Sequence, residues 1–261
     1  MSLVRAKKNL GQHFLTDLSI ARRIVDSIQH REVSKVIEVG PGMGVLTQYL
    51  IEEEFPEVYP VEIDVESVAY LKEHYPTLSD RIYDGDFLKM DFKAISEDPI
   101  VIIGNFPYNI STQIYFKILE NRDQVVESVG MIQKEVAERI CSPHGSKVYG
   151  ILSVFVQAFY DVEYLFTVEA NVFNPPPKVQ SAVMRITRND RQTLPCDEAM
   201  FFRVVKAIFN QRRKAIRNSL KSVCANVSEL DTEMLQRRPE QMSVEDFISL
   251  TCMVEELMNR S

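Results

Sequence analysis

The sequence predicts an α/β fold, a mostly parallel sheet covered by helices, followed by a small all-α C-terminal domain. Three observations predict it. Short apolar runs at 35–39, 58–63 and 100–103 alternate with helical stretches, the spacing of βαβ units. Gly40, Gly42 and Gly44 directly follow the first run, so a strand, a tight turn and a helix succeed one another. Past a polar linker at 189–195 the pattern is helical throughout, apart from turns near Arg238-Pro239. The predicted domains are residues 1–188, with a basic N-terminal arm, and 189–261.

Taken in order, Thr16 or Asp17 can cap a helix through Ile20, Ile24, Val25 and Ile28. The strand at 35–39 enters the glycine turn, and a helix follows over 46–53. The strand at 58–63 carries Glu62 near its end, ahead of a helix over 66–74 and a short strand near 81–83. The run at 100–103 reads as a buried central strand, ended by Pro107. A helix over 111–120, a strand over 128–133 and a helix from 134 come next. After a polar loop at 142–147, a helix over 151–160 and last strands over 164–168 and 179–187 complete the domain.

The 261 residues are 45% hydrophobic, enough for a sizeable core. The longest apolar runs fall far short of the roughly 20 residues that span a bilayer. The segment Met1 to Lys8 has no apolar signal core, so a soluble cytoplasmic protein is expected. Cys141, Cys196, Cys224 and Cys252 form no CxxC pair and no metal-ligand spacing, which predicts reduced thiols and no metal. A net charge of −7 taken alone argues against nucleic acid. Its distribution argues the other way. From Phe201 to Ser228 there is no acid, while Arg203, Lys206, Arg212, Arg213, Lys214, Arg217 and Lys221 all occur. Arg213, Arg217 and Lys221 would line one helix face opposite Phe209, Ile216 and Leu220. Arg5, Lys7 and Lys8 form a second basic patch, and two such patches can dock a polyanion.

The central strand runs into Asn105-Phe106-Pro107-Tyr108 at its carboxyl end, where open α/β sheets bind ligands. The loop offers an amide oxygen (Asn105), a backbone carbonyl (Phe106) that Pro107 helps fix, and an aromatic ring (Tyr108). Those parts suit a flat heterocycle bearing an amino group. The amine's lone pair is delocalised into the ring, and acceptors on its N–H groups favour a pyramidal nitrogen and the positive charge of attack. An ordinary Asn-x-Pro turn would look the same from the tetrapeptide alone. Phe173, in the stiff segment Phe173-Asn174-Pro175-Pro176-Pro177-Lys178, could press the base from the other face, with Lys178 near the backbone of the nucleic acid; a rigid connector with one buried Phe is the lesser alternative.

The cofactor signals are Gly-x-Gly-x-Gly, Glu62 placed 22 residues after Gly40, and Asp86 after the third strand. Gly40 and Gly42 permit close backbone approach, Glu62 suits a ribose diol and Asp86 an adenine amino group. Glu38 would repel a diphosphate. The set therefore points to a nucleoside cofactor without phosphate.

These features resemble the S-adenosylmethionine-binding motifs of class I (Rossmann-like) methyltransferases, and Asn105 to Tyr108 resembles the Asn-Pro-Pro-Tyr type motif of enzymes that methylate base amino groups. Over nearly its whole length the chain is similar to the bacterial KsgA (RsmA) type small-subunit rRNA adenine N6,N6-dimethyltransferases. The markers are Asn9-Leu10-Gly11-Gln12-His13-Phe14-Leu15, Glu38-Val39-Gly40-Pro41-Gly42, Gly104 to Thr112, Pro175 to Val183 and Phe209-Asn210-Gln211-Arg212-Arg213-Lys214. The resemblance implies dimethylation of two adjacent adenosines in the 3′-terminal hairpin loop of 16S rRNA, within an immature 30S subunit; a monomer with no DNA or membrane partner is expected. It implies cofactor contacts at His13, Leu15, Gly40, Glu62, Asp86 and Asn105, and RNA contact by the cations named above. Some members have Asn at position 13 and Leu at position 106.

Rival readings are a large-subunit resistance methylase, a DNA adenine methyltransferase, and an assembly factor that binds subunits without needing catalysis. Pro195-Cys196 as a covalent nucleophile sits in the linker, and Cys141 with His144 lies at a helix end; neither suits catalysis.

Overall fold

Residues 4–260 are described by the computed structural model, so the first three residues of the N-terminal segment lie outside it. The chain divides into two compact units, one reaching Ala137 and resuming at Asp161–Arg188, the other made of Glu138–Tyr160 and the chain from Asn189 on.

The first unit opens with a two-residue strand β1 (Phe14–Leu15) and helix α1 (Leu18–Asp26). Asp17 starts α1 by accepting from the amides of Ser19 at 2.9 Å and Ile20 at 3.3 Å. Then come β2 (Lys35–Val39), α2 (Thr47–Glu52), β3 (Glu57–Glu62), α3 (Val65–His74), β4 (Tyr83–Asp84), β5 (Ile100–Asn105), α4 (Ser111–Glu120), β6 (Val125–Gln133) and α5 (Lys134–Cys141). The division between the units falls inside α5. After α6 (Ile151–Gln157) the sheet resumes with β7 (Tyr160–Val168), β8 (Phe173–Asn174) and β9 (Ser181–Arg188).

Seven strands form one sheet in the order β4-β3-β2-β5-β6-β9-β7, and β1 pairs separately with β8. The strands from β4 to β6 are mutually parallel, while β9 runs antiparallel to β6. Ile100 to Ile103 of β5 are buried, as a strand covered on both faces must be. Gly104 is demanded by crowding: a Cβ there would lie 2.4 Å from the Val39 carbonyl oxygen. The chain builds from β2 outward to β4, then returns at β5 and builds the other way. Neighbouring β2 and β5 therefore form a topological switch point, with a crevice at their carboxyl ends.

The insertion of β9 between β6 and β7 follows from burial. Ala182 to Ile186 lie within the core, whereas β7 keeps Asp161, Glu163 and Thr167 exposed, as an edge strand does.

The second unit is helical. Asp197 caps α7 (Glu198–Asn210) through the Met200 amide at 2.7 Å, and α8 (Ile216–Leu220) and α9 (Val244–Arg260) follow. Glu138–Tyr160 belongs here and not to a contiguous 1–188 domain. Helix α6 buries Leu152 to Val156, and the Phe155 ring meets Phe202 edge-on at 4.5 Å. Phe209 stacks on Phe247 at 5.7 Å. The expected single basic helix is broken: α7 ends at Asn210, Arg213 lies in a turn, Arg217 falls in α8 and Lys221 at its end. The cause is buried Ile216, whose amide donates to the Arg237 carbonyl at 3.0 Å instead of continuing α7.

Candidate active site

A cavity of about 340 Å³ lies in the first unit at the carboxyl ends of β2, β3 and β5. His13, Gly40, Gly42, Glu62, Asp86, Asn105, Phe106, Pro107 and Tyr108, all expected at the site, line it. Its size is that of a small-molecule pocket.

The glycine turn and Glu62 are built together. Gly42 has φ 56°, a conformation natural to glycine, and a Cβ there would lie 2.8 Å from the Phe14 ring. Its amide donates to Glu62 Oε2 at 3.0 Å, while Glu62 Oε1 accepts from Ile63 and Asp64 at 3.0 and 2.9 Å. Burial pushes the Glu62 pKa above the ordinary carboxylate value, and these three amides pull it back. Three amides leave the carboxylate room for one more donor, such as a hydroxyl. Asp86 accepts from the Leu88 amide at 3.0 Å through Oδ1, and its Oδ2 lies 4.0 Å from the Lys89 ammonium.

The Asn105 amide nitrogen donates to the His13 carbonyl at 2.9 Å, so its oxygen is the end left to accept. Phe106 sends its ring into the core against Tyr115 and its amide to Met131, so its backbone carbonyl is what it offers the site. The Pro107 carbonyl accepts from Ile110 at 3.1 Å, closing the turn into α4. The Tyr108 hydroxyl is hydrogen-bonded to Ser181, and the ring stacks on His13 with centroids 5.4 Å apart. The Pro175 carbonyl accepts from His13 Nδ1 at 2.8 Å.

The arm is pinned across the cavity. Gln12 donates to buried Asp64 at 3.2 Å, and Lys7 forms ion pairs with Asp64 and, at 3.2 Å, Glu66. Burial pushes the Asp64 pKa up, but hydrogen bonds from Lys7, Gln12, Ser67 and the Glu66 amide hold it below its ordinary value.

Several expectations change. Phe173 is only 4% exposed, packs in the core with Leu15 and does not line the cavity. Leu15 is buried with it and borders a second, smaller cavity shared with Glu38, Gly40 and Asn105. Lys7 is spent on Asp64, and Arg212 on the carbonyls of Ser146 and Lys147 and on Glu240 at 3.8 Å. Arg5, Lys8, Lys178, Arg213, Lys214, Arg217 and Lys221 remain exposed. Glu38 is buried, and burial pushes its pKa up to about 8. It is mostly neutral at pH 7, so it does not repel a diphosphate as its sequence position suggested.

The sequence reading missed Ile63, an apolar side chain 51% exposed on the cavity wall, and Gln113 on α4. Ile63 had a signal: it immediately follows the strand-end acid. Among the described residues no three His, Cys, Asp or Glu side chains gather as a metal site. No helix among them is long and apolar enough to cross a membrane.

The donor set fits S-adenosylmethionine. Two carboxylates and no Lys or Arg line the cavity, which suits a cationic nucleoside without phosphate and repels a dinucleotide. Glu62 would hold the ribose, Asp86 the adenine, and the glycine turn the amino-acid end.

Similar proteins agree. Ribosomal RNA small subunit methyltransferase A of Bacteroides thetaiotaomicron is 57% identical over 260 residues, covering 99% of this chain and 97% of that one. The Flavobacterium johnsoniae protein of the same name is 55% identical, covering 98% of each. Among solved structures, a dimethyladenosine transferase from Plasmodium falciparum shares the fold at TM-score 0.77 with 23% identity, covering 95% of this chain and 98% of that one. The 23S rRNA methyltransferase ErmE aligns at TM-score 0.67 with 25% identity, covering 93% and 99%. The family model described as ribosomal RNA adenine dimethylase matches residues 3–256. The chain belongs to the ribosomal RNA adenine dimethylase family, enzymes that use S-adenosylmethionine on a class I methyltransferase fold.

Proposed function

We propose that this enzyme dimethylates N6 of two adjacent adenosines in the 3′-terminal hairpin loop of 16S rRNA, within an immature 30S subunit in the cytoplasm, acting as a monomer and not on DNA. The observation that carries the chemistry is the orientation of Asn105. With its NH2 tied to the His13 carbonyl, its oxygen is left to accept, and the Phe106 carbonyl is a second acceptor on the same cavity-lining segment as Tyr108.

The bound cofactor supplies an electrophilic methyl group on a sulfonium. The chain's own residues do the rest. Tyr108, steadied by Ser181, offers a stacking face worth about 1–3 kcal/mol, which offsets the few kcal/mol needed to unstack the base. Asn105 and the Phe106 carbonyl draw on the amine's N–H groups and aim its lone pair. No strong base is required, because a methylated ammonium is acidic enough to lose its proton to solvent. In the second round one N–H remains, so one acceptor goes unused and the slot must admit a methyl.

Arg213, Lys214, Arg217 and Lys221, exposed in the helical unit, are assigned to RNA phosphates. The small subunit is favoured because relatives 52–57% identical carry that substrate in their names, against the 25% likeness to ErmE.

The test is methyl transfer to small subunits lacking the modification, with product nucleosides identified by mass spectrometry. Dimethyladenosine at two adjacent positions is expected. Transfer only to naked large-subunit RNA would refute the small-subunit assignment.

A further inference from the structure

The glycine turn after β2, Glu62 of β3 and Asp86 after β4, all assigned to the cofactor, lie on one side of β5. A target base meeting Asn105 and Tyr108 would bring its sugar–phosphate strand in over the other side, where β6 ends and β9 begins. The register fixes what stands there. Gln133 of β6 pairs with Ser181 of β9, the residue that holds the Tyr108 hydroxyl. One residue beyond each lie Lys134 and Gln180. The Lys134 amide donates to the Gln180 carbonyl at 3.0 Å, and its ammonium donates to Gln180 Oε1 at 3.0 Å. Gln180 is in turn held by Glu169, which accepts from its amide at 2.7 Å.

Lys134 is half-buried, and among the described residues its ammonium has no carboxylate partner, in a chain with seven more acids than bases. A neutral amide oxygen takes one of its three protons, leaving two to offer, with the Glu169 carboxylate bonded to the far end of that amide and not to the ammonium. A cationic side chain held at a defined place beside the base platform, with two protons still to offer, suits a phosphate. Exposed Lys178 lies two residues before Gln180 and adds to the positive field there.

We propose that Lys134, positioned by Gln180, binds an RNA phosphate flanking the flipped adenosine. This rests on the functional reading above and adds the residue that holds the strand while the base is out of its stack. The contact is made before and during base insertion, so it acts on subunit binding and not on methyl transfer itself.

The experiment uses the full-length enzyme and unmodified small subunits. It compares wild type, Lys134→Gln and Lys134→Arg for KM and kcat at several salt concentrations, with S-adenosylhomocysteine affinity measured in parallel. Lys134→Gln should raise KM for subunits about three- to tenfold. The slope of log(kcat/KM) against log salt should become shallower by about 0.7, one single-strand phosphate contact. Saturated kcat and S-adenosylhomocysteine affinity should stay within twofold, and Lys134→Arg should restore both KM and slope. An unchanged slope, or a fall in cofactor-product affinity that tracks the lost activity, would overturn the proposal. Wild-type enzyme that binds S-adenosylhomocysteine yet methylates no small subunit would overturn the functional reading first, and this one with it.

Discussion

Replacing Glu38 by Gln removes a titrating group from the end of β2 while keeping its shape. Glu38 is 1% exposed; its Oε2 accepts from the Thr47 hydroxyl at 2.6 Å, and among the described residues its Oε1 has no partner. Burial pushes its pKa from 4.5 to about 8, with the nearby Glu62 charge adding to the effect. An unfolded chain gives up this proton near pH 4.5; the folded chain keeps it until about pH 8. Between those values the folded state binds more protons than the unfolded one. Stability therefore falls as pH rises, by up to about 1.4 kcal/mol per pH unit from this group. Across the whole window the ceiling is about 5 kcal/mol. Gln carries no such loss and can still bond Thr47. Urea denaturation of both proteins from pH 4.5 to 8.5 should show near-equal stability at the acid end. Toward pH 8 the variant should gain steadily on wild type. Parallel curves would mean that Glu38 ionises normally in the folded chain, and the burial argument would fail.

Asn105→Ala should bind S-adenosylhomocysteine normally but lose about 10²–10³ in turnover, the scale of losing one preorganised charge-stabilising contact, as measured by single-turnover methyl transfer. Gly104→Ala forces a Cβ to 2.4 Å from the Val39 carbonyl oxygen and 3.0 Å from the Phe106 ring, so a loss of about 1–3 kcal/mol or more is expected in thermal denaturation. Arg213→Glu with Arg217→Glu reverses two exposed charges that have no ion-pair partner among the described residues. It should weaken subunit binding and flatten its salt dependence by about one unit per lost phosphate contact, leaving cofactor affinity unchanged.

What the sequence carried well were features set by local chemistry. The buried run at 100–103, the Gly40 turn, Glu62 and Asp86 are each a residue type doing one local job, and the last three meet at one cavity. What it carried poorly depended on partners distant in the chain. Nothing near residue 181 says that β9 slides between β6 and β7, because that order is decided by which strand can afford an exposed edge. Phe173 looked like a stacking ring, but pairing with β1 draws it into the core beside Leu15. Lys7 looked like a free cation until Asp64, 57 residues on, claimed it. The helical period through residues 209–221 was real in the sequence, yet the Ile216 amide found Arg237 and broke it.

These displaced cations also explain how an acidic protein serves an RNA substrate. The cofactor carries positive charge, so its cavity is walled with carboxylates and kept free of Lys and Arg. RNA requires the opposite field, and cations beside that cavity would weaken cofactor binding through a low-dielectric wall. The chain eases the conflict by pairing Lys7 of the arm with acids while other cations stay exposed. Lys7, beside Asp64, is neutralised; Arg213, Lys214, Arg217 and Lys221 are exposed in the other unit. Lys134 lies between these cases. It lies in the catalytic unit but across β5 from the cofactor residues, and it is held by an amide that leaves its charge intact. Net charge is therefore a poor guide to this enzyme's partner; whether each cation has a carboxylate beside it is the better one.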